Sequence, residues 1–150
     1  MDTSNFEFLW LGQCVCRYQV PWDVYQMINN IYERNFDKLP SANKQLAGKI
    51  KNEHSLYYQG KDLSKMHHHN MLPRQVLGWI VSQFFAYLKY LQINPYQLTI
   101  NSIWVNQMKA NEYNPIHVHR GTLFTGLSSV MFLKLPKDMG PEISSPQLAL

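Results

Sequence analysis

The 150 residues predict an α+β domain in which helices back one face of a mainly antiparallel roll or sandwich. Three observations carry this. Two stretches, about 22–36 and 73–92, place apolar residues at the 3–4 spacing of amphipathic helices. From residue 98 to 136 the pattern changes to short apolar runs separated by turn residues, as in antiparallel strands. Neither an internal repeat nor a linker divides the chain, so one domain is expected: helical support over about 22–92, a β part over about 98–136 and an irregular tail over 137–150.

Composition excludes several classes. At 45% apolar, 13% aromatic and 16% charged residues the chain is globular, and at this length it buries roughly 70% of its unfolded surface. The net charge of +4 comes from scattered Lys and Arg with no run of five or more. That describes solubility rather than a nucleic-acid stripe. No apolar run reaches the roughly 18 residues of a membrane helix, and the N-terminus has no charged region followed by a cleavable core. A cytoplasmic protein is the expectation. Cys14 and Cys16 stand alone as a C-x-C; without a second pair they read as reduced core thiols rather than a zinc site.

Each element follows from local pattern. Phe6 to Val20, aromatic and valine-rich, reads as one or two strands. Pro21 then opens a helix with Asp23 in its first turn and Val24, Met27, Ile28 and Ile31 on its buried side. Leu39-Pro40-Ser41 is a break, followed by a short helix over about 42–50 that Gly48 weakens. Residues 51–72 read as a long polar loop, in which His54 and the run His67-His68-His69 are polar surface groups. Pro73 begins the longest helix, with Val76, Leu77, Ile80, Val81, Phe84, Leu88 and Leu91 facing the core, and Asn94-Pro95 ends it. Leu98 to Lys109 reads as a strand with Ile100, Ser102, Trp104, Asn106 and Met108 on one face. A turn at 111–115, a strand at 117–119, a two-glycine loop at 120–126 and a strand over 128–135 complete the β part.

The chemistry-bearing feature is H-x-H at His117 and His119, after Asn114-Pro115. Residues two apart on a strand share a face, roughly 6–7 Å apart, so the two imidazoles address one volume, the start of a metal site. Trp104, Asn106 and Met108 line the same pocket by strand position, with Tyr113 near its mouth.

The run from W-V-N (104–106) through N-P-x-H-x-H (114–119) to G-L-S-S-V-M-F-L-K-L-P (126–136) resembles the iron(II)- and 2-oxoglutarate-dependent oxygenase superfamily, in particular a small branch from phages and bacteria. The resemblance implies a double-stranded β-helix (jelly-roll, cupin-like) around a 2-His-1-carboxylate iron with positions open for 2-oxoglutarate and O2. It carries His117 over as the first ligand and His119 into the second position, where the family has a carboxylate. The site is then three-histidine, or takes its carboxylate from a residue such as Glu112 or Glu142; Asn106 and Tyr113 become candidate contacts to the cosubstrate. The family's third ligand is a distal histidine followed by an arginine, and this chain has no histidine after His119 and no arginine after Arg120. The expectation is therefore a roll incomplete at its C-terminus, with an unpaired strand edge that pairs with a second copy into a homodimer.

Two other classes compete. A cupin-type metal protein also uses H-x-H, but the stretch from 120 to 136 has no Asp or Glu to serve as its next ligand. A non-catalytic β-sandwich module would leave both histidines as polar surface residues. A nucleophilic hydrolase is poorly supported, since Ser128 and Ser129 lack a G-x-S-x-G elbow.

Overall fold

Phe6–Leu11 (β1) and Gln13–Gln19 (β2) pair as an antiparallel hairpin in register Phe6↔Tyr18 to Leu11↔Gln13. The computed structural model describes residues 6–11, 13–42, 48–60, 68–94, 97–115, 126–136 and 147–149. Beyond the hairpin come α1 (Trp22–Asn35), a 3-10 turn (Phe36–Lys38), β3 (Asn52–Tyr58), β4 (His69–Asn70), α2 (Arg74–Tyr90), β5 (Ser102–Gln107), β6 (Val130–Met131) and β7 (Gln147–Ala149). The strands form two antiparallel sheets, ordered β1-β2-β7-β6 and β4-β3-β5. Mixed helices and antiparallel sheets bear out the α+β class.

Both helices stand where the apolar spacing put them. Pro21 precedes α1 in extended conformation, and Val24, Ile28 and Tyr32 are its buried stripe. Pro73 precedes α2, which buries Val76, Ile80, Tyr87 and Leu88, with Leu77, Phe84 and Leu91 packed at the margin. The side chain of Gln75 donates to Asp23 at 3.0 Å and ties the two helix starts together. At its end α2 closes with Gln92 N–H on Lys89 C=O (3.1 Å) and Ile93 N–H on Leu88 C=O (2.9 Å). This is the Schellman arrangement, and it forces Gln92 to a φ of 59°, where glycine is the usual occupant. The helix thus ends just short of Asn94-Pro95.

Two phenols brace α2 against β2. Tyr87 on the helix donates to the Cys14 carbonyl at 2.7 Å, and Tyr18 on the strand donates to the Gln83 carbonyl at 3.1 Å. One apolar cluster joins Cys16, Tyr18, Val20, the helical stripes, Leu56 of β3 and Leu72. Both cysteines are free; Cys14 is half-buried, whereas Cys16 is fully enclosed and burial pushes its thiol above the ordinary range.

Several expectations are corrected. Residues 51–72 contain β3 and β4 instead of a loop. β3 hides from a period-2 test because two of its buried positions are the polar Glu53 and Ser55, and because a bulge between Ser55 and Tyr57 breaks the alternation. No helix occupies the described part of 42–50. Ala42 N–H donates to Glu53 and Pro40 accepts from Ser55, while Lys49 and Tyr113 exchange both backbone bonds; residues 43–47 lie outside the described residues. The strands expected over 98–109 and 128–135 are shorter, Ser102–Gln107 and Val130–Met131. The tail is not irregular throughout, for Gln147–Ala149 forms β7. That last strand is hydrogen-bonded on both sides, to β2 and to β6, so the edges of its sheet are β1 and β6 among the described residues. Among those residues no helix is long and apolar enough to cross a membrane.

Candidate functional site

The outer face of the three-stranded sheet carries two of the four described residues that the sequence assigned to a pocket, Trp104 and Asn106. Residues paired directly across an antiparallel ladder point to the same side. The register Glu53↔Asn106 and Ser55↔Trp104 therefore puts these four side chains on one face. The inner face carries His54, Ile103 and Val105 instead, and Ile103 and Val105 pack on the core. The bulge after Ser55 then brings Tyr58 back to the outer face, across from His69 on β4. His69 consequently reaches both: its Nε2 lies 2.9 Å from Ser55 Oγ, and its ring is 6.5 Å from that of Tyr58.

The floor of this face is polar and enclosed. Glu53 is 6% exposed and Ser55 3%. Asn106 is half-buried, and its Oδ1 is shut off from solvent with no hydrogen-bond donor among the described residues. Around the floor exposure rises: Trp104 is 37% exposed, and Met108 and Tyr113 are 57% and 58% exposed beyond the end of β5. Asn106 and Trp104 thus lie side by side on one sheet face, whereas Met108 and Tyr113 sit in the open at its end.

The turn that follows is held by a carboxylate. Glu112 accepts from the backbone N–H of Lys109 at 2.9 Å and of Lys51 at 3.2 Å. These bonds, the Lys109 one foremost, hold its pKa below the ordinary carboxylate value. As a candidate metal ligand Glu112 is thereby engaged elsewhere. Tyr113 next pairs with Lys49, and Gly48 makes that approach possible, since a Cβ there would run into the Tyr113 carbonyl and the Asn114 and Pro115 atoms.

His117, His119 and Glu142 lie outside the described residues, as does His67. Among the described residues no three His, Cys, Asp or Glu side chains form a group that could hold a metal ion. His54 departs from the expected polar loop: it stands in β3, its ring 4.5 Å from that of Phe36 and 6.0 Å from that of Tyr32. His69 departs from it as well, since it belongs to β4. Glu53, Ser55 and His69 are the functional candidates missed from sequence. The usable signal was the alternation of Glu53 and Ser55 with His54, obscured once the bulge is crossed.

Comparisons with protein-family models, with curated proteins and with solved structures give no match.

Proposed function

We propose that this chain is an iron(II)- and 2-oxoglutarate-dependent oxygenase of the jelly-roll type, with His117 and His119 as metal ligands and the outer face of the β4-β3-β5 sheet as its binding surface. The observation that supports it most is the Lys49–Tyr113 pairing at the end of the β3–β5 ladder. It anchors the chain two residues before Pro115, and Pro115 stands two residues before His117, so the motif follows directly on the sheet that carries Trp104 and Asn106. Two antiparallel sheets with helices, and a C-terminal strand returning beside the N-terminal hairpin, are compatible with a roll.

The donor set is incomplete within the described residues. Glu112 serves the turn, and strands β3, β4 and β5 contain no Lys or Arg to pair with a keto-acid carboxylate. The chain's own groups have definite roles on this reading. Asn106 offers an acceptor to a bound molecule, the Ser55–His69 pair fixes the floor, and Trp104 forms a wall that excludes water. Pairing with a second copy, on the same reading, runs along the sheet edge at β6, where Val130 and Phe132 are exposed.

A second reading, a non-catalytic binding module, is favoured by the exposure of Trp104, Met108 and Tyr113 at one end of the sheet. An anaerobic titration with Fe(II) and then 2-oxoglutarate separates the two. The oxygenase predicts a weak visible charge-transfer band that disappears in His117→Ala and in His119→Ala. No band, with iron not retained by the parent chain, removes the oxygenase and leaves the module.

A further inference from the structure

We infer that the Glu53–Asn106 floor with its Trp104 wall is a site for a guanidinium group, as on an arginine side chain. The inference deepens the proposed function by naming the substrate chemistry of the same face, and it takes from that reading only that the face binds a ligand. The groups that converge there are acceptors. Glu53 and Asn106 sit directly opposite each other on neighbouring strands, a relation that sets Cβ atoms about 5 Å apart. Asn106 Oδ1 is closed off from water and takes no donor among the described residues, a costly arrangement unless a ligand supplies one. Whatever else Glu53 engages, a carboxylate has about four acceptor positions and accommodates a further donor.

The third component is aromatic. Trp104 is paired with Ser55, two residues along β5 from Asn106, and more than a third of its surface is open. A planar cation lying on an indole face gains the ring's quadrupole attraction. Guanidinium satisfies all three demands together: it is flat, permanently charged and carries five N–H donors in a fixed fork. A primary ammonium matches the charge but neither the fork nor the stacking plane. A neutral amide or urea matches the plane and some donors but lacks the charge that a buried carboxylate selects. Trp104 is the open member of the set, Asn106 is half-buried and Glu53 lies at the floor.

The test uses the full chain, isotope-labelled and without added metal. The probe is Nα-acetyl-L-arginine N-methylamide, with the uncharged citrulline analogue as control. Saturable shifts of the Trp104 indole and Asn106 side-chain amide signals are expected with the arginine probe and at least tenfold weaker binding with citrulline. Asn106→Leu and Trp104→Ala should each weaken arginine binding about tenfold, and Glu53→Gln should abolish it. Should the buried Glu53→Gln change unfold the chain, the other two variants decide. No saturable shift in the parent chain, equal binding of citrulline, or binding untouched by both Asn106→Leu and Trp104→Ala would overturn the inference. Because iron is absent, arginine binding without a chelate band would sink the oxygenase and keep this site; a chelate band without arginine binding would do the reverse.

Discussion

The hydroxyl of Tyr87 donates to the carbonyl of Cys14 at 2.7 Å, and this one bond fastens the longest helix to the N-terminal hairpin. Tyr18 returns a bond from strand to helix, on Gln83. Removing the Tyr87 hydroxyl leaves the phenyl packing intact but strips the carbonyl of its donor. Tyr87→Phe should therefore cost about 1–2 kcal/mol in chemical denaturation, at an unchanged m-value.

The same groups set the response to alkali. Burial raises the pKa of Tyr18, Tyr32, Tyr87 and Cys16 above their ordinary values. A group whose folded pKa is raised holds its proton longer in the native state, so its contribution is complete below the unfolded pKa and is lost as pH climbs through the folded one. With unfolded values of about 8.5 for a thiol and 10 for a phenol, stability should begin to fall above about pH 8.5 and steepen above 10. Unfolding midpoints measured from pH 7 to 11 check this; a flat profile would contradict it.

Gln92 occupies the left-handed position that closes α2. A side chain there is strained by roughly 1 kcal/mol, which glycine avoids. Gln92→Gly should raise stability by about 0.5–1 kcal/mol, and Gln92→Val, β-branched, should lower it. The order of the three denaturation midpoints is the check.

Gly48 lets the Tyr113 segment approach. Gly48→Ala drives a methyl group into backbone atoms that have no rotamer by which to yield. A loss of about 1–3 kcal/mol is expected by thermal unfolding. If the proposed metal site follows on this pairing, Fe(II) affinity should fall in the same variant.

Glu112 clamps the turn through Lys109 and Lys51. Its pKa is lowered, so the clamp is present above the unfolded carboxylate value and released as pH falls through the lower, folded one. Glu112→Ala should speed hydrogen exchange at the Lys109 and Lys51 amides at neutral pH while leaving exchange in α2 unchanged.

The helices were legible because their burial repeats every three to four residues and packing respects that period: Val24 and Ile28, Val76 and Ile80 are all buried as the pattern requires. The three-stranded sheet was not, for a reason specific to β3. Two of its three buried positions, Glu53 and Ser55, are polar residues that a hydrophobic pattern discards, and its bulge shifts every later residue to the other face. Trp104 and Asn106 were correctly assigned to a common face, since they precede no bulge, yet the apolar core lies on the other side with Ile103 and Val105. Glu53 and His69 became visible only once pairing across strands, which no local pattern encodes, brought them beside Asn106 and Ser55.

The position of β7 bears on how the molecule is made. Gln147 pairs with Gln19, and Met131 with Leu148, so among the described residues the β1–β2 hairpin is joined to β6 through residues that lie far along the chain from it. Closing a loop that long is entropically slow. While synthesis proceeds from one end, β2 waits with an open edge, able to pair with whatever strand it meets, including that of a neighbouring nascent copy. The four-stranded sheet is therefore expected to form only once residues 147–149 have been made, with these as its last stitch.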